Sequence, residues 1–131
     1  MKRLFTYCLI LLGLYFTPKS VFSQIPNDII LALRSGNAQE LSVFLNDNVE
    51  LYLYDKNDVY SKNQTTQILT QFFEQNHPNS LSIIHQSGKK EHQYVILLLN
   101  TDKESFQLSF LMRKINEKVV ISQLQIEKSE S

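Results

Sequence analysis

The sequence predicts an α+β domain in which helices pack on one face of a curved antiparallel sheet, with the element order α-α-β-α-β-β-β-β. Amphipathic helical patterns occur only in the first half of the domain, between Pro26 and Gln75. After Pro78 the pattern changes to four extended runs joined by short polar turns, which favour antiparallel pairing. Helices followed by a series of strands are typical of the α+β class.

Two helices are expected first. The first begins near Pro26, because proline is tolerated in the first helical turn, and it ends at Gly36, a residue suited to a left-handed stop. The second is short and begins at Asn37, with Glu40 three residues later in the spacing of a capping box. Its predicted apolar face consists of Leu41, Phe44 and Leu45.

One strand and the longest helix are expected next. The polar cluster 46–48 is predicted to be a turn, followed by a strand over Val49–Tyr54 with alternating apolar residues. Residues 55–58 are predicted to form another turn. A second capping box at Ser61 then opens a helix over about Lys62–Gln75. The apolar stripe of this helix consists of Ile68, Leu69, Phe72 and Phe73.

The rest of the chain predicts a four-stranded antiparallel meander. Its strands are expected at about Leu81–Ser87, His92–Asn100, Ser105–Lys114 and Lys118–Glu127. In the first hairpin we expect Ser87 to pair with His92. In the second hairpin we expect Asn100 to pair with Ser105. The apolar residues of the last strand change parity, so a β-bulge near Ser122-Gln123 is needed to keep them on one face.

This pairing divides the apolar side chains between two faces of the sheet. The face expected to contact the helices carries Ile84, Val95, Leu97, Leu99, Phe106, Leu108, Phe110 and Met112. The opposite face carries Ile83, His85, Tyr94, Ile96, Leu98, Gln107, Ser109 and Leu111. The second face is mixed rather than polar, which is unusual for an antiparallel sheet with one side in water. We therefore predict a homodimer that covers it. The predicted interface consists of His85, Tyr94, Ile96, Leu98 and Leu111.

The N-terminal residues have the pattern of an export signal. The basic pair Lys2-Arg3 precedes an apolar run that ends at Phe16, and small or medium residues before Gln24 offer a cleavage site. The run is shorter than the ~20 residues that span a bilayer, so a cleaved signal is favoured over a retained one. We predict a signal peptide over residues 1–23 and a single domain over 24–131. The domain is expected to be exported, either periplasmic or secreted, with no membrane span after cleavage.

Charge and cysteine content narrow the function of the predicted mature domain. Removal of residues 1–23 leaves ten basic and thirteen acidic side chains, a net charge of −3, whereas nucleic-acid binding needs a basic face. Cys8, the only cysteine, lies in the leader, so disulfides, thiolate metal sites and thiol nucleophiles are not expected. His85 and His92 without a third ligand would make an incomplete zinc site. We expect no cofactor, no metal and no nucleic-acid partner.

Several short sequence features, in their order along the chain, resemble a known fold family. These features are Gly36-Asn37-Ala38, Tyr60-Ser61-Lys62, Phe72-Phe73 with Pro78, and His85, Gly88 and Tyr94. The chain resembles the nuclear-transport-factor-2-like (NTF2-like) fold, also called cystatin-like. More narrowly, it resembles a family of small exported bacterial proteins of unknown function with that fold, over about Ile25–Glu127. The resemblance implies a cone with a pocket between helices and sheet. Some relatives are isomerases, dehydratases or hydrolases, and others are binding or dimerisation modules.

The expected pocket has four candidate ligand-binding residues. Tyr52, Tyr54 and Tyr60 could line its mouth, because tyrosine offers an aromatic wall with one polar tip. Phe72 could close its floor. The same tyrosines could instead pack the strand against the long helix. The inward face of the meander carries no Asp, Glu or His on the predicted pairing, whereas acid–base catalysis needs such a group in position. We therefore favour a non-catalytic domain that binds a small apolar or amphipathic ligand or a protein partner. An isomerase- or hydrolase-type enzyme and a purely structural dimerisation module remain alternatives.

Overall fold

The computed structural model describes residues 25–130, which form three helices and six strands. The helices are α1 (Asn27–Ser35), α2 (Ala38–Ser42) and α3 (Lys62–Gln75). The strands are β1 (Leu45–Leu53), β2 (Lys56–Ser61), β3 (Pro78–Lys89), β4 (His92–Thr101), β5 (Ser105–Ile115) and β6 (Lys118–Lys128). The predicted signal peptide over residues 1–23, including Cys8, lies outside the described residues. Within residues 25–130, no helix is long and apolar enough to cross a bilayer.

The helix boundaries follow the predicted capping residues. Gly36 ends α1 in the left-handed conformation, with φ of 68°. The side-chain oxygen of Asn37 accepts a hydrogen bond from the Glu40 backbone at 3.1 Å and begins α2. Ser61 and Gln64 form the complete reciprocal capping box at the start of α3. These side chains satisfy backbone N–H groups that have no partner inside the helix.

The six strands form one mixed sheet in the order β2-β1-β6-β5-β4-β3. All neighbours are antiparallel except β1 and β6, which run parallel. The prediction of a curved sheet with helices on one face is confirmed, but the sheet is not entirely antiparallel. It also has one strand more than expected.

The turn predicted at 46–48 is wrong, and the turn predicted at 55–58 is confirmed only at Asp55. Residues 46–48 belong to β1, where the register with β6 shifts between Leu45 and Glu50. Leu45, predicted on the face of the second helix, is the first residue of this strand. Residues 56–58 belong to β2, which pairs with β1 from Leu53↔Lys56 onward. Edge strands often carry polar and charged residues that discourage pairing with other chains, and this polarity resembles that of a turn.

The second hairpin and the last bulge are confirmed. Asn100 pairs with Ser105, and the register continues along β4 and β5 as predicted. In the β5–β6 pairing, Leu111 faces Gln123 whereas Met112 faces Ile121, so Ser122 is the additional residue. The bulge brings the apolar residues of both parts of β6 to the inner face, where Ile121, Leu124 and Ile126 are buried.

The first hairpin has a different register from the predicted one. Lys89 pairs with His92, and Ser87 pairs with Tyr94. Gly88 has φ of 127°, and a Cβ there would overlap the carbonyl oxygen of His92, so the strand pair needs glycine at this position. The β3–β4 pairing also contains a second bulge, at Ile84 between Ile83 and His85. This bulge leaves Ile84 56% exposed, although it was predicted to lie in the core.

The second bulge also moves Ile83, which was expected on the outer face opposite Ile96. Ile83 pairs instead with Leu97, and His85 takes the place opposite Ile96. Ile83 nevertheless remains 53% exposed, because it lies on the edge strand β3.

The core lies between the inner face of the sheet and the helices. Apart from Ile84, every residue predicted for the inner face of the meander is buried. These confirmed residues are Val95, Leu97, Leu99, Phe106, Leu108, Phe110 and Met112. The helices contribute Ile29 and Leu33 from α1 and Leu69, Phe72 and Phe73 from α3. The domain therefore buries a single continuous apolar core.

Candidate functional site

Two clefts adjoin each other at the turn between β1 and β2. The larger, called the rim cleft, has a volume of about 610 Å³ and is lined by Tyr52, Tyr54, Asp55, Asn76, Glu104, Phe106, Glu127 and Lys128. The smaller, called the apolar cleft, has a volume of about 440 Å³ and is lined by Leu51, Leu53, Tyr54, Asp55, Lys56, Tyr60 and Ile68. Tyr54 and Asp55 line both clefts, so the two clefts border the same turn.

Tyr54 lies between the clefts because the turn has only two residues. Leu53 pairs with Lys56, so Tyr54 and Asp55 alone reverse the chain. Such a turn requires positive φ at its first residue, and Tyr54 has φ of 57°. A bulky residue in this conformation is strained, and strain of this kind is often found at functional sites. The backbone N–H of Tyr54 also donates to the carbonyl of Ile126 at 3.2 Å, which fixes the turn to β6.

The rim cleft is bounded by charged groups and has an aromatic wall. Its charged residues are Asp55, Glu104, Glu127 and Lys128. The ammonium of Lys128 lies 3.6 Å from a carboxylate oxygen of Glu104, and both side chains are exposed. A carboxylate oxygen of Glu127 accepts a hydrogen bond from the Gln125 amide at 2.6 Å. Carboxylates therefore outnumber cationic groups in this cleft by three to one.

The wall of the rim cleft rests on the aromatic core. The ring of Phe106 lies 6.5 Å from that of Tyr54 and 4.9 Å from that of Phe72, in an edge-to-face arrangement with the latter. Phe72 also contacts Phe73, with ring centroids 5.5 Å apart. Phe72 thus lies one layer beneath the cleft surface, where it supports Phe106 and lines neither cleft itself. Such aromatic pairs add about 0.5–1.5 kcal/mol beyond their buried area.

The apolar cleft lies between β1, β2 and the long helix α3. Tyr60 pairs with the buried Val49, which places it on the inner face of the sheet. Ile68 comes from the predicted apolar stripe of α3 and is only half-buried, because the cleft lies beside it. The charged residues in the lining of this cleft are Asp55 and Lys56, and both lie at the β1–β2 turn or directly after it.

The structure divides the four predicted ligand-binding residues among different positions. Tyr52 lines the rim cleft, Tyr60 lines the apolar cleft, and Tyr54 lines both. Sequence reasoning missed the polar residues of the rim cleft, which are Asp55, Asn76, Glu104, Glu127 and Lys128. These residues come from a turn, a helix end and strand ends, which lie far apart in the sequence.

The predicted interface residues lie together on the outer face of the sheet. Tyr94 pairs with Leu111, and His85 pairs with Ile96. Leu98 continues the same face along β4. Tyr94 is 38% exposed, Ile96, Leu98 and Leu111 are half-buried, and His85 is exposed. The five residues therefore form one contiguous outer patch across β3, β4 and β5.

The clefts carry carboxylate, amide, phenol and ammonium groups. The buried polar residues of the described chain are Thr65, Thr66, Asn76, Gln93 and Ser109, none of which is a carboxylate or an imidazole. Within residues 25–130, no group of three or more His, Cys, Asp and Glu residues could hold a metal ion. Of the acidic residues of the rim cleft, Asp55 and Glu104 are exposed and Glu127 is half-buried.

Comparison with known structures identifies first the class of fold and then the family. The chain is similar to an NTF2-like protein of unknown function from Shewanella baltica OS155, with a TM-score of 0.63 over 80% of this chain and 88% of that chain at 9% identity. This similarity shows the fold alone. The model of the DUF4783 family, a domain of unknown function, matches residues 26–127, and the chain belongs to that family.

Two crystal structures of family members resemble the chain more closely. A DUF4783 family protein from Bacteroides uniformis ATCC 8492 is 30% identical, with a TM-score of 0.77 over 82% of this chain and 100% of that chain. A family protein from Bacteroides ovatus ATCC 8483 is 28% identical, with a TM-score of 0.78 over 82% of this chain and 97% of that chain. No protein of curated function matches the chain.

Proposed function

We propose that the domain is an exported, non-catalytic binding module that holds one small amphipathic ligand in the two clefts. The observation that carries this proposal is that an apolar cleft and a polar cleft share Tyr54 and Asp55 as lining residues. Volumes of about 440 and 610 Å³ lie in the range typical of small-molecule sites. Export rests on the leader pattern of residues 1–23.

The apolar cleft suits the hydrocarbon part of such a ligand. Leu51, Leu53, Tyr60 and Ile68 provide its apolar walls. Burial of a ligand chain against these side chains would contribute about 25 cal/mol for each Å² removed from water. The rim cleft would bind the polar part, because its lining carries hydrogen-bonding and charged groups.

Binding can be tested with Nile red, an uncharged apolar dye, in a fluorescence titration of the chain expressed with its own leader. We expect one saturable site. Ile68→Trp should lower the affinity about tenfold, the equivalent of roughly 1.4 kcal/mol, because the indole would occupy part of the apolar cleft. Ile115→Trp is the matched control, since Ile115 is 43% exposed at the far end of β5 and should not affect binding. Equal loss in both variants, or no saturable binding, would contradict the proposal.

We also propose that the outer patch of the sheet forms a homodimer. Apart from His85, its residues are aliphatic or aromatic, and an apolar patch is suited to a self-complementary contact. Light scattering should give a dimeric mass at micromolar concentration. Ile96→Glu should give a monomer because it would bury two charges in the contact, whereas Ile115→Glu should remain a dimer. A monomeric mass for the unmodified chain would exclude this arrangement.

A further inference from the structure

We infer that the ligand of the two clefts is a primary alkylamine, with its ammonium head in the rim cleft and its hydrocarbon chain in the apolar cleft. This inference rests on the proposed function and specifies its ligand class. Three features of the rim cleft carry it: the sign of its charge, a nearly buried amide that lines it, and the aromatic wall at the junction of the clefts.

The charge of the rim cleft favours a cation. Asp55, Glu104 and Glu127 line it together with Lys128 alone. Lys128 is paired with Glu104, which leaves Asp55 and Glu127 without an ion-pair partner among residues 25–130. These two carboxylates would repel an anionic head group. A positively charged ammonium head would instead be attracted to both of them.

The amide of Asn76 independently favours a hydrogen-bond donor. Asn76 is only 6% exposed, yet it lines the rim cleft. Its amide nitrogen donates to the carbonyl of Phe72 at 3.0 Å, so the amide oxygen is the atom left to accept a hydrogen bond. Because its nitrogen is already bonded and the residue lines the rim cleft, this oxygen is the side-chain atom of Asn76 that a donor in the cleft would meet.

These acceptors match the head of a primary amine better than that of a quaternary one. Carboxylates and an amide oxygen accept hydrogen bonds, and a primary ammonium supplies three N–H donors and no acceptor. A quaternary ammonium has the same charge but cannot donate. The hydrogen bonds therefore distinguish two cations that the charge alone would not.

The aromatic wall connects the head to the chain. The ring of Tyr54 borders both clefts, and Tyr52 lies on the rim side. An ammonium within about 6 Å of such a ring gains a cation–π attraction. A ligand bent around Tyr54 would place its charge in the rim cleft and its chain against Ile68.

Four decyl compounds with different heads test the inference by calorimetry: decylamine, decyltrimethylammonium, decanol and decanoate. Each compound is titrated below its critical micelle concentration and its solubility limit. The protein is the chain expressed with its own leader. We expect decylamine to bind about tenfold more tightly than decanol and decyltrimethylammonium, with decanoate weakest.

Glu127→Gln should lower the decylamine affinity about fivefold and leave decanol binding unchanged. Glu50→Gln, an exposed carboxylate of β1 outside both clefts, is the control and should change neither.

The outcomes separate this inference from the proposed function. Equal binding of decylamine and decanol, or tightest binding of decanoate, would overturn the cationic head while the amphipathic site stands. Equal binding of decyltrimethylammonium and decylamine would overturn the primary amine. If none of the four compounds binds, both the inference and the proposed function fail.

Discussion

The β1–β2 and β5–β6 hairpins both close through two-residue turns that hold non-glycine residues at positive φ, but the two turns place very different side chains there. In the β5–β6 turn, Asn116 and Glu117 have φ of 50° and 65°, and both side chains are exposed. In the β1–β2 turn, the residue at φ of 57° is Tyr54, whose ring lines two clefts. Asparagine is common in this conformation, whereas an aromatic residue is not.

This difference indicates what each turn contributes. The β5–β6 turn needs only to reverse the chain, and a residue with a short polar side chain serves that purpose. The β1–β2 turn carries a less favourable residue, and its conformation is held by the hydrogen bond to Ile126 and by the contact of the ring with Phe106. A strained aromatic residue beside a cavity favours the interpretation that the ring has a role in binding.

The largest effect that tests this comparison is expected from Phe106→Ala. Phe106 is 1% exposed and supports the ring of Tyr54 from the core. Its removal should lower the free energy of unfolding by about 3–5 kcal/mol, because it leaves a cavity between β5 and α3. Urea denaturation measures this change. Phe106→Leu should cost less and retain ligand binding. If Phe106→Ala cost less than about 1 kcal/mol, the wall of the rim cleft would not depend on the core.

Glycine substitutions in the two turns give the next largest contrast. Glu117→Gly should raise the free energy of unfolding by about 0.5–1 kcal/mol, because glycine adopts positive φ without strain and no buried contact is lost. Tyr54→Gly relieves similar strain but loses the contact with Phe106, so its stability should change by less than about 0.5 kcal/mol. Its affinity for decylamine should nevertheless fall about tenfold. Denaturation and calorimetry on both variants measure the contrast, and equal ligand affinity in the two would show that the Tyr54 ring does not bind ligand.

The parts of the fold that could be predicted from the sequence are those in which several signals agree. The β4–β5 hairpin has alternating apolar residues on both strands and a short turn, so its register was predicted correctly from Asn100↔Ser105. The bulge at Ser122 was predicted because the apolar residues of β6 change parity. Ser61 and Gln64 likewise marked the start of α3 by a local interaction.

The parts that were missed depend on contacts between distant residues. The sequence of β2 is polar because β2 is an edge strand, and only its pairing with β1 makes it extended. The register of the first hairpin was displaced by two residues, because Gly88 lies within the strand and not in the turn. In the rim cleft, the β5–β6 pairing places Glu127 near Glu104, but only the parallel pairing of β1 with β6 brings Asp55 to them. Local pattern contains little information about that pairing.

The smallest expected effect concerns the only cation of the rim cleft. Lys128 and Glu104 form an exposed pair at 3.6 Å, so Lys128→Gln should change the free energy of unfolding by less than about 0.5 kcal/mol. The same substitution removes a positive charge beside the proposed ammonium site and releases Glu104 to interact with the ligand. Decylamine should therefore bind about two- to threefold more tightly, and the gain should shrink as sodium chloride is raised, because salt screens exposed charges. Lys118→Gln, at the opposite end of β6, removes the same charge far from the clefts and should leave the affinity unchanged. Weaker binding in Lys128→Gln would mean that the lysine itself contacts the ligand, which would reverse the sign of the head group assigned to this cleft.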